Sequence, residues 1–236
     1  MPADLIVFAL IAAGLIFWLR SILGTRNEGD GERANPYLRG DPDAPEAPAE
    51  RTMSAEALVA ELAANSKGSM GIENKTAENA LVEIAQVSRD FDIYRFLSAA
   101  QDAFVFIVES FADGDRETLE ELLDPAVYTA FDGAITAREK DGQKLEAEIR
   151  AITKSEVTAA RLEGRKAFIT VRFEAEEVTA TRDQDGNVIA GNPDKAKPMR
   201  DLWTFAKDLK SRDPRWLVVE TRADIDGDND TVPNSL

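Results

Sequence analysis

The residues of this chain that could perform chemistry are mainly carboxylates, because the sequence contains no histidine and no cysteine. This composition excludes Ser-His-Asp and Cys-His nucleophilic triads, thiolate chemistry, disulfides, and zinc or haem sites with His or Cys ligands. The remaining candidates are Glu176-Glu177, Tyr128 and two acidic clusters. Proton transfer by such groups requires a carboxyl or phenol held among apolar side chains.

None of these candidates has the pattern that a reactive site needs. The apolar face of the clearest strand carries Ala, Ile, Val, Phe and Ala, and Glu176-Glu177 is predicted to lie at a solvent-exposed strand end. Tyr128 is expected to keep its hydroxyl at a helix surface. Asp226-x-Asp228-x-Asp230 and Asp183-x-Asp185-x-Asn187 lack the glycine that an EF-hand loop requires next, so they are interpreted as a solvated tail and a hairpin turn. We predict no catalytic residue, no metal site and no cofactor.

Strands are predicted in the second half of the chain, after about Ile149. Residues Ala167 to Ala175 alternate between apolar and polar side chains, which is typical of a strand with one buried face. Asp185-Gly186 is a hairpin turn signal. The other predicted strands are Ser155 to Leu162, Leu202 to Phe205 and Trp216 to Val219.

Helical periodicity dominates the preceding residues. The strongest helix runs from Asp92 to Ala112, a shorter one covers Arg116 to Leu123, and Pro125 opens a third. Two earlier short helices follow Ser54 and Thr76 and are separated by a break at Gly68 to Gly71. Helices followed by strands predict an α+β fold, with the helices packed on one face of a curved antiparallel sheet.

The N-terminal segment is the most apolar part of the chain. Leu5 to Leu19 is an unbroken run of apolar or small residues, and a helix continued through Leu23 would be about 28 Å long, close to the roughly 30 Å hydrocarbon core. A signal peptide would need a basic region before the run and a small-x-small site after it, and neither is present. A buried core helix is the other alternative. We predict a transmembrane anchor whose residues include Leu5, Phe8, Leu15, Phe17, Trp18 and Arg20.

The charges around this run predict its orientation. Arg20 and Arg26 follow the run and no basic residue precedes it, so the positive-inside rule places the N-terminus outside and the C-terminal domain in the cytoplasm. The formal net charge of −16 disfavours binding to nucleic acid and broad adhesion to anionic lipid. Export of the domain is a weaker alternative.

The predicted domain organisation has five segments. Residues 24–52 are rich in Gly, Pro and acidic residues and predict a disordered linker. The segments are a transmembrane anchor (1–23), this linker (24–52), an amphipathic helical extension (53–90), an α+β domain (91–223) and a polar tail (224–236).

Several short strings of the α+β domain resemble one known family. They include Phe111-Ala112-Asp113-Gly114-Asp115, Arg182-Asp183-Gln184-Asp185-Gly186, Asp201-Leu202-Trp203-Thr204-Phe205 and Asp213-Pro214-Arg215-Trp216. In their order and spacing they are similar to the TIM-forty-four-like domain family, which includes the bacterial TimA adaptors. The resemblance covers about Phe91 to Thr221. Arg215 stands where an asparagine is common in the family.

The resemblance implies a cone-like fold akin to the nuclear-transport-factor-two superfamily, with an apolar pocket between helices and sheet. It also implies a membrane-associated scaffold of protein import that recruits an Hsp70-type chaperone and contacts cardiolipin. The segments before the domain lack the basic face that an anionic lipid would favour. The aromatic residues of the domain could either form its core or line such a pocket. The candidate pocket or partner-binding residues are Phe104, Val108, Phe131, Ile169, Val171, Phe173, Trp203 and Phe205.

Together, the anchor, the flexible tether and a domain without catalytic groups favour a non-catalytic adaptor. Such an adaptor would hold a protein partner, such as a chaperone or a transport component, at the cytoplasmic face of the bacterial inner (plasma) membrane that the resemblance to the bacterial members implies. The alternative hypothesis is a carrier of a lipid or small apolar ligand, or a cryptic enzyme, that uses the pocket.

Overall fold

The computed structural model describes residues 54–65 and 68–224. The predicted anchor and linker lie outside this part of the chain, as does nearly all of the predicted tail. None of the helices in this part of the chain is long and apolar enough to cross a membrane.

The described residues form five helices, and their ends carry the capping groups that the sequence provides. Ser54, Asp92 and Asp124 cap the first, third and fifth helices, and each accepts a hydrogen bond from a backbone N–H of the first turn. The third helix ends at Gly114, whose φ of 75° is a left-handed conformation that glycine adopts easily. The helices are α1 (Ala55–Ala64), α2 (Lys75–Val87), α3 (Ile93–Asp113), α4 (Arg116–Leu122) and α5 (Pro125–Lys140).

A six-stranded mixed sheet completes the fold. Its order is β1-β2-β3-β5-β6, and β4 pairs with the end of β3. Register shifts along β2 at Ile149/Ala151, Ile152/Lys154 and Val157/Ala159 bend the sheet, because a bulge increases local twist. The strands are β1 (Met70–Ile72), β2 (Lys144–Glu163), β3 (Lys166–Arg182), β4 (Val188–Gly191), β5 (Lys197–Asp208) and β6 (Leu217–Ala223).

Helix α3 lies against one face of the sheet, which we call the inner face. Phe96 of α3 contacts Phe205 of β5 with ring centroids 5.8 Å apart, and Phe104 contacts Phe173 of β3 at 4.5 Å. The buried stripe of α3 follows the helical periodicity, and the buried positions of β3 alternate. The opposite, outer face carries a charged cluster in which Arg172 pairs with Glu73, Glu156 and Asp224.

The α+β class and the curved sheet are confirmed, but the prediction of a purely antiparallel sheet is wrong. β1 pairs with β2 in parallel, with Met70 opposite Ser155. This three-residue strand lies where the sequence predicts a break, because it is too short to show a periodicity of its own. The cap of α2 is also Asn74 rather than Thr76. The first long strand begins at Lys144, earlier than predicted, since charged residues obscure its alternation.

Candidate functional site

Most of the predicted pocket residues meet in the centre of the core. Phe104 stacks on Phe173 and meets Trp203 edge-on, with ring centroids 4.9 Å apart, while Phe173 also contacts Phe205 at 6.3 Å. Each of these side chains is at most 3% exposed. The cluster therefore contributes apolar burial and favourable aromatic geometry. Its members among the predicted residues are Phe104, Ile169, Val171, Phe173, Trp203 and Phe205.

The other two predicted residues lie at the margin of this cluster. Val108 and Phe131 are half-buried, and the ring of Phe131 contacts Phe111 of α3 at 5.2 Å. No aromatic contact joins Phe131 to the buried cluster among the described residues. Whether any of the eight residues binds a ligand or partner stays a prediction.

A carboxyl group that the sequence assigned to solvent lies on the inner face. The buried positions of β3 alternate through Phe173 and Ala175, and Glu177 is the next residue in that series. Glu176 is exposed as predicted, whereas Glu177 is half-buried. Burial raises the pKa of Glu177 to about 7, and the negative charge of Asp201 adds to the effect. The prediction that both glutamates are exposed is therefore wrong for Glu177.

Asp201 is the second carboxyl on the inner face. It lies opposite Phe173 in the register of β3 and β5 and precedes Trp203 by two residues, so both side chains project to the same face. Burial raises the pKa of Asp201 to about 6, and the charge of Asp224 also raises it. A hydrogen bond from Trp203 Nε1 to Asp201 Oδ2, 3.2 Å long, acts in the opposite direction. The sequence does carry a signal for this position. Phe205, Trp203 and Asp201 are two residues apart in one strand, so the alternation that buries the two aromatic residues also places Asp201 on the inner face.

The surface between these carboxyls is apolar. Ala175 and Met199 face each other across β3 and β5, and Ile152 and Ile149 of β2 lie opposite Ala175 and Glu177. Met199 and the two isoleucines are half-buried against the core. Neither carboxyl forms an ion pair within residues 54–65 and 68–224. We call this set, Glu177, Asp201, Met199, Ile149 and Ile152, the carboxyl surface.

The chemistry available to the carboxyl surface follows from the raised pKa values of Glu177 and Asp201. A carboxylate with a raised pKa can accept a proton or pair with an organic cation, since it is incompletely compensated by the protein. Over the same described ranges, no group of three or more acidic residues is arranged to hold a metal ion.

The two acidic clusters have different outcomes. Asp183 accepts hydrogen bonds from the backbone N–H groups of Asp185 and Asn187, which confirms the predicted hairpin turn. The hydrogen bonds from Asn187 hold the pKa of Asp183 below its ordinary value. The cluster at Asp226 lies outside the described residues, as do the predicted anchor residues Leu5, Phe8, Leu15, Phe17, Trp18 and Arg20.

Comparison with known families identifies the domain. A family model described as the Tim44-like domain matches residues 77–223, which is more than half of the chain. The chain belongs to the Tim44-like domain family. The family match begins inside α2, so the Tim44-like region includes part of the segment that the sequence predicts as an extension.

Relatives of this Tim44-like protein are distant in sequence. The human mitochondrial import inner membrane translocase subunit TIM44 is 24% identical over 157 residues, covering 65% of this chain and 35% of the human protein. TIM44-1 of Arabidopsis thaliana is 21% identical over 123 residues, covering 52% of this chain and 26% of the plant protein. The matches thus span about a third or less of each relative.

Solved structures give only weak similarity to the Tim44-like protein. The intermembrane space region of the chloroplast protein ARC6 matches with 14% identity and a TM-score of 0.39, covering 54% of this chain and 95% of that one. An NTF2-like family structure from Streptomyces avermitilis matches with 12% identity and a TM-score of 0.30, covering 52% and 92%. Both TM-scores are below 0.5, so the cone-like geometry stays a prediction.

Proposed function

We propose that this protein is a membrane-anchored, non-catalytic adaptor that recruits a protein partner to the cytoplasmic face of the bacterial inner membrane, in protein transport or quality control. The Tim44-like match over residues 77–223 carries this proposal, because the relatives are named as subunits of an inner membrane translocase. The apolar run from Leu5 to Leu19 supplies the anchor, and the arginines after it supply the orientation.

The buried aromatic cluster stabilises the domain, which leaves the surface as the part available to a partner. Phe104 and Phe173 are fully buried, so these rings stabilise the domain. An adaptor of this kind would use its surface, and the acidic balance of the chain favours basic partners over phosphate-bearing ones.

Crosslinking in native membranes tests the adaptor role. The full chain and a control consisting of residues 1–52 alone are expressed at matched levels, crosslinked and purified under denaturing conditions. We expect at least one protein to be enriched with the full chain over the control. If the two crosslinked profiles are the same, the adaptor proposal is wrong.

Membrane attachment and orientation have separate tests. Deleting residues 5–19 should move the protein from the membrane fraction to the soluble fraction. A C-terminal reporter that is active only in the cytoplasm should be active with the full chain. Activity of a periplasm-specific reporter instead would reverse the proposed orientation.

A ligand carrier or cryptic enzyme is the second candidate function, and the carboxyl surface favours it. Glu177 and Asp201 flank an apolar, half-buried area, which is a common arrangement for sites that orient a small molecule. Native mass spectrometry of the full chain released gently from the membrane should then detect bound mass that Glu177→Gln reduces. If the protein carries no bound mass and still crosslinks to its partner, the carrier and enzyme hypotheses are wrong and the adaptor proposal stands.

A further inference from the structure

One face of α3 combines an exposed aromatic side chain with acids that form no ion pair within residues 54–65 and 68–224. Asp102, Phe106, Glu109 and Asp113 are spaced i, i+4, i+7 and i+11, so they lie on one side of the helix over about 16 Å. Phe106 is 58% exposed, more than any other large apolar side chain that the structure describes. We call these four residues the Phe106 face.

The charges of this face differ from those of the outer face of the sheet. There, Arg172 pairs with Glu73 at 2.7 Å, Glu156 at 3.1 Å and Asp224 at 2.7 Å, so the acids are compensated within the fold. By contrast, the three acids of the Phe106 face form no ion pair with any residue of 54–65 or 68–224. A partner that supplies basic groups would therefore gain attraction here without breaking an existing pair.

We infer that the Phe106 face docks a helical segment of a protein partner that carries basic side chains one turn on either side of an apolar residue. This inference rests on the proposed adaptor function and specifies the chemistry of the partner. Phe106 would be the central apolar contact, because aromatic residues contribute most to binding when they are desolvated at the centre of an interface. Asp102 and Glu109 lie one turn before and after it and would meet the basic groups.

Two other occupants fit this face poorly. A second copy of the chain would place the acids of one helix against those of the other, and like charges in contact oppose association. An anionic lipid surface would also be repelled by the three acids. The negative charges thus favour a basic polypeptide over both alternatives.

The inference can be tested with a defined peptide. The full chain is placed in nanodiscs of zwitterionic lipid, and binding of a fluorescent alanine-based helical peptide with one central leucine and lysines one turn away on both sides is measured by anisotropy. Empty nanodiscs and a peptide with glutamate in place of lysine are the references. The lysine peptide should bind the protein, and the glutamate peptide should not.

Matched variants distinguish binding at the Phe106 face from nonspecific attraction of the peptide to an acidic protein. Phe106→Ser and Asp102→Lys should each weaken peptide binding about tenfold. The controls are Ile189→Ser, at another exposed apolar residue, and Glu83→Lys, at an exposed acid of α2, and both should change binding less than about twofold. All four positions are on the surface, so an unchanged melting temperature verifies folding in each case.

Several outcomes would overturn the inference. These are failure of the lysine peptide to bind, equal weakening by Glu83→Lys and Asp102→Lys, and a dimer in sedimentation that Phe106→Ser dissociates. Crosslinking distinguishes this failure from failure of the adaptor role. If Phe106→Ser keeps the crosslinked partner of the full chain, the adaptor role stands and the Phe106 face is not its docking surface.

Discussion

The indole N–H of Trp203 donates a hydrogen bond to the carboxyl group of Asp201, with 3.2 Å between Nε1 and Oδ2. The two residues lie on the same face of β5, at the edge of the aromatic cluster. The contact joins a buried ring to a carboxyl whose pKa burial raises to about 6. The aromatic core is therefore hydrogen-bonded to a carboxyl whose pKa burial raises.

This contact predicts a pH-dependent fluorescence signal. Because ionisation of Asp201 changes the charge next to the indole, we expect tryptophan emission to shift with a midpoint near the raised pKa of about 6. Asp201→Asn keeps an acceptor oxygen but cannot ionise, so the transition should disappear. A transition that persists in Asp201→Asn would assign it to another group.

Glu177 predicts a pH dependence of stability. Its pKa is raised from 4.5 to about 7, so the folded protein binds this proton more tightly than the unfolded chain does. Its contribution to the free energy of unfolding is therefore fully present below about pH 4.5 and is lost as the pH rises to about 7. At about pH 8, Glu177→Gln should raise the free energy of unfolding by about 1–3 kcal/mol, and at about pH 4 the gain should vanish.

Urea denaturation at both pH values measures this effect. Glu176→Gln is the matched control, since its side chain is exposed on the next residue of the same strand. An equal gain in both variants would indicate a general effect of net charge rather than burial of Glu177.

The stack of Phe104 on Phe173 should dominate the stability of the core. Phe104→Ala removes a fully buried ring from the contact between α3 and β3 and should lower the free energy of unfolding by about 3–5 kcal/mol. Phe106→Ala, two residues later on the exposed side of the same helix, should change it by less than about 0.5 kcal/mol. Similar losses in both variants would contradict the packing of α3 described above.

Arg172 should tie three elements together on the outer face. Its guanidinium pairs with Glu73 before α2, Glu156 of β2 and Asp224 after β6, and the Asp224 side chain is only 7% exposed. Arg172→Met would leave these carboxylates without their shared cation, and we expect a loss of about 1–3 kcal/mol. Hydrogen exchange at Glu220 to Asp224 should also accelerate. Arg150→Met, which breaks an exposed pair with Glu148, is expected to have little effect.

The C-terminal end of β4 should depend on glycine for two reasons. Gly191 has a φ of 75°, and a Cβ there would lie 2.2 Å from the carbonyl oxygen of Thr179. Gly164 has a similar φ of 63°, but its Cβ would meet open space. Thermal or chemical denaturation should therefore show a loss of about 1–2 kcal/mol for Gly164→Ala and at least about 3 kcal/mol for Gly191→Ala. Equal losses would mean that only the backbone conformation matters.

Most secondary structure could be predicted from local patterns. Helix α3, which contains Phe96 and Phe104, has a wide apolar stripe and is capped by Asp92. Its observed bounds differ from the prediction by one residue at each end. β1 could not be predicted in this way. Its three residues acquire strand structure only by pairing with Ser155 to Val157, more than eighty residues further along the chain.

The candidate site was less accessible to sequence reasoning. The alternation of β3 places Glu177 on the same face as Phe173 and Ala175, yet two adjacent glutamates are typical of a solvated strand end. Whether Glu177 is exposed to solvent depends on how far the helices and neighbouring strands cover the inner face. Burial of that position depends on contacts between residues that are distant in the chain. The local spacing of apolar and polar residues therefore does not predict it.

The sequence by itself determined which side chains share a face, the class of the fold, and the absence of histidine and cysteine chemistry, because periodicity and composition are local properties. Only the tertiary structure decided which of those faces is buried. It enclosed Phe104, Phe173 and Trp203 in one cluster, partly desolvated Glu177 and Asp201, and left Phe106 in solvent. The physical reason is that burial, and with it the pKa of a carboxyl or the availability of an aromatic ring, depends on packing between elements distant in the chain.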